Sequence, residues 1–360
     1  MDIILFLTSF ALILAGCELF TNGIEWIGKR FRFSEGAVGS VLAAVGTAMP
    51  ETLLPMIAIL FGGASGKDIG VGAILGAPFM LSTIAIFVCG VSVLVFIRRR
   101  GTRKLHLNGK LIRRDLRFFL IAYTLAAVAA LLPGSMGWFK TILGVTLIPL
   151  YGVYALLTLS RREGVCNSED LKCLYFQRVA NGLKGNGQEC PDVPGERLRK
   201  VIYQGEPQTY LIVAQAAMGL AAIILGANLF VQQVHLVAEA IGMPALILSL
   251  VLAPIATELP EKFNSVLWIR CRKDTYAIGN ITGAMVFQSS VVVTIGILMT
   301  DWHIALSDET QFLQACAIGI ALLSGSLLYL RSGRNELGLS ALLIGGAFYL
   351  AFMLLMLFGL

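Results

Sequence analysis

Two short blocks of this chain place a carboxylate, a hydroxyl and a proline inside otherwise apolar sequence: Thr47-Ala48-Met49-Pro50-Glu51 and Thr257-Glu258-Leu259-Pro260-Glu261. The chemistry open to such a set is cation binding. Proline lacks an amide proton and clashes with the carbonyl four residues earlier, so Pro50 releases the carbonyl of Gly46 and Pro260 that of Ala256. At membrane depth a freed carbonyl needs a cation or a water-lined cavity. Each block therefore gathers a backbone carbonyl (Gly46 or Ala256), a threonine hydroxyl (Thr47 or Thr257) and a carboxylate (Glu51 or Glu261). Hard oxygen ligands of this kind suit calcium, sodium or magnesium. One carboxylate at the bilayer centre costs about 2.5 to 3.5 kcal/mol on insertion scales, which argues that a related pair is kept for a function.

The blocks belong to a longer repeat. At the same offset of 210, Gly16, Leu19 and Phe20 match Gly226, Leu229 and Phe230, and Val41-Leu42-Ala43 matches Val251-Leu252-Ala253. Downstream, Gly72-Ala73-Ile74-Leu75-Gly76-Ala77 matches Gly279-Asn280-Ile281-Thr282-Gly283-Ala284 at an offset of 207.

The elements that must position these residues are membrane helices. Hydrophobic residues make up 57% of the 360, charged residues 14%, and mean hydropathy is +0.79, the composition of an all-α integral membrane protein. Apolar runs near the length needed to cross a bilayer occur at 3–26, 36–61, 69–97, 116–133 and 138–160. A second set lies at 209–232, 243–269, 275–300, 310–330 and 337–360. The expectation is ten transmembrane helices, with the long third run tilted or broken near its glycines. Loops after odd-numbered runs hold 25 of the 28 Lys and Arg residues, so by the positive-inside rule those loops are cytoplasmic and both termini lie outside. The formal charge of +6 then reflects topology, with no nucleic-acid partner implied. The acidic start at Asp2 and a first run long enough to span predict that this run stays as a helix and is not a cleaved signal. Five crossings separate Thr47 from Thr257, which inverts the second copy in the membrane. Inverted repeats place a substrate site near the midplane and expose it to either side by rocking. The expected organisation is a first repeat over 1–160, a cytoplasmic linker over 161–207 and a second repeat over 208–360.

The paired T-x-x-P-E blocks, each followed by a glycine-rich helix, resemble the alpha repeats of the calcium/cation antiporter superfamily, most of all its sodium/calcium exchanger branch. The resemblance implies the exchanger fold, in which helices 2, 3, 7 and 8 form the ion-binding centre and helices 1 and 6 slide against it. It implies that Glu51 and Glu261 ligate calcium, assisted by Thr47, Thr257 and backbone carbonyls one turn earlier. The chain departs from the family pattern. Ala48 and Glu258 stand where exchangers carry serine after the motif threonine. In helices 3 and 8, Ala77 and Ala284 replace the serines of the G-S-N-x-x-N/D motif, and Leu81 and Gln288 its last polar residues. The sodium sites of the family are thereby largely dismantled.

Glu258 lies three residues before Glu261 and shares its helical face if the helix continues. Carboxylates that share a low-dielectric site favour proton uptake by one of them, which points to exchange of a divalent cation against protons, with little sodium dependence. Lys262, beside Glu261, is expected to neutralise Glu258 as an internal ion pair. Gln288, Asn264, Ser289 and Ser290 are candidates for a second coordination shell or proton path, with Ser82 and Thr83 as first-half counterparts. Glu18 and its repeat mate Asn228 either line an access path or bond locally near the interface.

Residues 169–180 of the linker read as a short amphipathic helix, with Leu171, Leu174, Tyr175 and Val179 facing the membrane surface. Cys166, Cys173 and Cys190 have no His or Cys-x-x-Cys company and are expected to be reduced thiols. The three histidines, His106, His235 and His303, lie outside the apolar runs and away from the paired motif, so no catalytic constellation is present and an enzyme is not expected. The function these features predict is secondary antiport of a divalent cation, with calcium first, across the plasma membrane, against sodium or protons. Magnesium or manganese as cargo, or a channel or sensor without coupled exchange, are the alternatives. No resident cofactor is called for, the partners are inorganic cations and the lipid bilayer, and nothing in the sequence speaks to oligomeric state.

Overall fold

The computed structural model describes residues 3–30, 43–159, 174–177, 207–270 and 272–358. The start of the second apolar run, most of the linker with Leu171, Val179, Cys166, Cys173 and Cys190, and the side chains of residues 43–50 fall outside that description.

The apolar runs fold as helices because only intrasegment hydrogen bonding satisfies the backbone in hydrocarbon. In the first half these are α1 (Ile3–Arg30), α2 (Ala43–Phe61) and α3 (Gly63–Met80). A π-helical turn, Leu81–Ala85, then joins α3 to α4 (Ile86–Val95), followed by the short α5 (Ile97–Arg100), α6 (Gly109–Leu131) and α7 (Gly137–Leu159). The second half holds α8 (Thr209–Ile241), α9 (Ala245–Thr257), α10 (Leu259–Arg270) and α11 (Asp274–Phe287). A second π-helical turn, Gln288–Val292, leads into α12 (Val293–Met299), and α13 (Glu309–Arg331) and α14 (Leu339–Phe358) complete the chain. Among the described residues six helical stretches are long and apolar enough to cross a membrane: 65–95, 134–158, 209–241, 274–299, 309–331 and 339–358. Their outer faces carry exposed apolar side chains, such as Trp138, Ile142 and Leu156 on α7, as a lipid-facing surface requires.

The long third run is not broken at its glycines; helix continues through Gly70, Gly72 and Gly76 and changes character only at Leu81. The two π-turns begin at Leu81 and Gln288, separated by the same 207 residues that relate the glycine-rich blocks. Insertions of this kind recur at functional sites because they displace helical carbonyls and side chains from α register.

Among the described residues two large apolar clusters fill the interior, with a third, small one at Trp26, Leu174 and Ile212. One joins α1, α2 and α8 through Ile13, Phe20, Leu54, Ile57, Ile223 and Phe230. The other gathers residues of α3, α6, α9, α11, α13 and α14, with Phe79, Phe119, Tyr123 and Phe352 fully buried. Helices α1 and α8 lie close along their length; a Cβ on Gly16 would meet the Gly219 carbonyl oxygen at 2.8 Å.

One element departs from the purely helical expectation. Strands β1 (Lys104–His106) and β2 (Glu336–Gly338) pair antiparallel, with Leu105 opposite Leu337 and both buried. Beside this ribbon Arg100 forms a bidentate pair with Asp274, both contacts 2.7 Å, and the His106 amide donates to the same carboxylate at 2.9 Å. The ribbon and ion pair tie the end of α5 and the start of α14 to the start of α11.

Candidate cation site

The second-copy block sits at a helix break. Pro254 has no amide proton to return to Leu250, and four residues after it Glu258 leaves helical geometry (φ −96°, ψ 6°), so α9 ends at Thr257 and α10 begins at Leu259. Pro260 falls in the first turn of α10, where the missing amide costs no helical bond. Glu261 occupies the same turn, at the positive end of the helix dipole. The first copy differs: α2 runs from Ala43 to Phe61 through both Pro50 and Pro55. A proline removes one hydrogen bond and bends a helix without having to stop it. A helix break is thus present at the second block and absent from the first.

Packing positions the parts. Helix α3 approaches α9 at glycines, where a Cβ on Gly76 would stand 2.0 Å from the Leu250 carbonyl oxygen and one on Gly72 2.2 Å from that of Leu246. The Leu250 carbonyl is the one that Pro254 leaves without a helical donor. Helix α10 is held to α11 by Asn280, whose amide donates to the Glu261 carbonyl oxygen at 3.2 Å, and by Ser265, which donates to that of Ala277 at 3.0 Å.

These contacts bring the two copies together. Glu51 on α2 lies within charge–charge reach of Glu261 and Glu258 and beside the Gln288 amide. All four are almost wholly buried, between 0% and 4% exposed. Among the described residues no hydrogen-bond partner exists for either carboxylate oxygen of Glu51, Oε1 of Glu258, Oε2 of Glu261, or the amide oxygen and nitrogen of Gln288, and Oε2 of Glu258 is met by the Lys262 ammonium. Buried polar atoms are nearly always paired, and an unpaired buried charge costs several kcal/mol. Such a concentration at one place is what a cation or its water would relieve.

Lys262 enters the same cluster. Its Nζ stands 3.0 Å from Glu258 Oε2, 3.4 Å from the Pro254 carbonyl oxygen and 3.1 Å from Met80 Sδ. The expected internal ion pair is therefore present, and Glu258 is engaged by its neighbour one turn on. No group of three or more His, Cys, Asp or Glu side chains at metal-binding spacing occurs among the described residues.

The other expected residues fall as follows. Gly46, Thr47 and Ala256 lie on the helical turns preceding Glu51 and the break. Thr257 is buried and donates to the Ala253 carbonyl oxygen at 3.2 Å, which leaves its lone pairs available. Ser289 and Ser290 donate to the Val286 carbonyl within the π-turn, and Ser82 and Thr83 to that of Phe79, so these hydroxyls serve the local backbone. Asn264 lies on α10, its side chain outside the description. Glu18, exposed, and Asn228, half-buried, do not join the cluster: Glu18 accepts from the Tyr175 hydroxyl at 2.5 Å, and Asn228 donates to the Ile224 carbonyl oxygen.

Of the linker helix expected over 169–180, the structure describes residues 174–177: Leu174 packs against Trp26 and Ile212, and the Phe176 amide donates to Gln215 Oε1 at 2.9 Å, so these residues are seated on α1 and α8. Two further buried polar residues, not marked out by any motif, are Gln215, which also donates to Asn22, and Asp115, which accepts from Thr282 at 3.0 Å. Both are polar groups in or beside apolar runs, and that was the available signal.

The family described as "Sodium/calcium exchanger protein" matches residues 1–160 and 211–358. Inner membrane protein YrbG of Escherichia coli K12 is 24% identical over 316 residues, covering 86% of this chain and 83% of the relative. The crystal structure of the H+/Ca2+ exchanger CAX superposes with a TM-score of 0.64 at 15% identity, over 99% of this chain and 82% of that one. A structure of the sodium-calcium exchanger NCX_Mj, soaked with zero Na+ and Ca2+, superposes with a TM-score of 0.54 at 20% identity, over 97% and 96% of the two chains. The fold is that of these exchangers, and the helices are those of a multi-pass integral membrane protein. With both halves of its sequence matched, this chain belongs to the sodium/calcium exchanger protein family, a family of cation antiporters.

Proposed function

We propose that this protein is a secondary active antiporter that carries calcium, held between Glu51 and Glu261, in exchange for sodium or protons. The observation that carries this reading is the burial of unpaired carboxylate oxygens contributed by both halves of the repeat. One divalent ion neutralises two carboxylates, and the hydroxyls of Thr47 and Thr257 with the carbonyls of Gly46 and Ala256 supply further hard oxygens. The replacement of the family's serines by Ala77 and Ala284, and of a polar residue by Leu81, favours protons over sodium as the counter-ion.

Ten spans in two inverted repeats, 1–160 and 208–360, joined by the cytoplasmic linker 161–207, complete the proposal, with both termini outside the plasma membrane. The α1–α8 pair, which packs on α2 through an apolar cluster with few polar ties among the described residues, is suited to slide against the remaining helices and expose the site to one side and then the other. Calcium uptake into proteoliposomes under separate sodium and proton gradients tests the coupling. Uptake driven by a pH gradient is expected. Uptake that requires sodium and ignores pH refutes proton coupling, and flux that persists without any counter-ion gradient identifies a channel.

A further inference from the structure

Lys262 is a fixed cation placed inside a site built for mobile ones. Its ammonium is buried, with the side chain 10% exposed, and among the described residues it is held by one carboxylate oxygen, one backbone carbonyl oxygen and one thioether. Two of those are oxygen donors of the kind a monovalent metal ion takes, and they come from the helix break at Glu258. The third, Met80, comes from α3 of the other half, next to the π-turn. With its three carboxylates ionised, as at alkaline pH, the cluster and its one ammonium would carry a formal charge of −2, which one divalent ion or two monovalent ions would cancel.

We propose that Lys262 occupies, as a tethered ammonium, the place of one monovalent counter-ion beside Glu258, and so sets how many cations the site takes. This rests on the assignment of Glu51 and Glu261 to the cargo. It accounts for Oε2 of Glu258 being met by an ammonium while, among the described residues, the oxygens of Glu51 and Oε2 of Glu261 have no hydrogen-bond partner. It accounts also for an acidic residue standing after the motif threonine: Glu258 and Lys262 form an i, i+4 pair that adds no net charge.

The test uses equilibrium binding of radiolabelled sodium and calcium to the purified full chain at alkaline pH. K262M removes the ammonium but keeps most of the side chain's bulk, and is expected to bind one sodium ion more per chain than wild type. E258Q leaves the ammonium uncompensated and is expected to bind calcium about tenfold or more weakly, as a like charge brought into a buried site would dictate. The double variant E258Q/K262M removes both charges and is expected to return both quantities to wild-type values. A sodium count identical in wild type and K262M overturns the proposal. If K262M does not fold, E258Q against the double variant decides: calcium affinity that the second substitution fails to restore overturns it. E51Q separates the two claims. Unaltered calcium binding by E51Q refutes the cargo assignment itself; lost binding in E51Q with an unchanged sodium count in K262M refutes only the role of Lys262.

Discussion

Replacing Gly76 by alanine puts the geometry of the site under direct strain. The added Cβ would stand 2.0 Å from the Leu250 carbonyl oxygen and 2.8 Å from both the Leu250 carbonyl carbon and Pro254 Cγ. Ordinary contact begins at 3.4 Å, so α3 and α9 must separate by about 1.4 Å, and the obstacle is backbone and a proline ring that cannot rotate away. Overpacking of this kind costs about 1 to 3 kcal/mol. Intrinsic helix propensity has the opposite sign, favouring alanine over glycine by about 1 kcal/mol, so a loss cannot be ascribed to the helix itself. The displaced segment of α9 is the one that leads through Pro254 to Glu258 and Lys262, and a shift there moves Lys262 from Met80. G76A is expected to lower the melting temperature in detergent and to reduce calcium uptake in proteoliposomes by about tenfold or more, each 1.36 kcal/mol being one factor of ten. G319A is the control: Gly319 is exposed on α13, with no described atom within 4 Å of its added Cβ. If G76A melts and transports like G319A, the close approach of α3 to α9 does not position the site.

Further outcomes follow from polar contacts outside the cluster. R100M strands the buried Asp274 carboxylate with the His106 amide and is expected to cost about 3 to 5 kcal/mol, whereas R100M/D274L, which removes both charges, should recover part of the loss in a thermal melt; equal stability of R100M and wild type would show the pair to be idle. S324A removes the donor to the Ser82 carbonyl oxygen, 2.6 Å away, inside the first π-turn, and is expected to destabilise by about 1 to 3 kcal/mol while leaving calcium affinity within a few-fold of wild type, as read by thermal melting and equilibrium binding. Q215L frees linker residue Phe176 and Asn22 from their shared partner and should speed proteolysis within 161–207; an unchanged cleavage rate would mean that Gln215 does not hold the linker.

The central residues were legible in the sequence because their chemistry is local. A carboxylate next to a proline in an apolar run carries its own cost, and the same block written twice gives the partner. The helical segments followed from hydropathy with errors of a few residues, apart from α6 and α8, each extended by seven or more residues at one end. What did not follow depends on approach in three dimensions. The break occurs at Glu258 but not at Pro50, although each copy has a second proline nearby, because a proline permits a bend and the neighbours decide whether the helix stops. The π-turns carry no composition signal; Pro78 precedes the first, but Met285 stands at the matching position before the second. The Arg100–Asp274 pair joins residues 174 apart, both of which read as loop charges. The partner of Lys262 in the other half, Met80, reads as one more apolar residue until Gly76 brings α3 onto α9.

The account stands or falls on whether Glu51 and Glu261 together hold the transported ion. Equilibrium calcium binding to purified wild type, E51Q and E261Q measures this without reference to coupling or direction. Wild type is expected to bind one calcium per chain at the site, and each neutral variant to lose that binding while remaining folded, since each substitution keeps shape and removes one of the two charges that the ion cancels. Calcium binding of wild-type affinity in either variant would contradict the assignment.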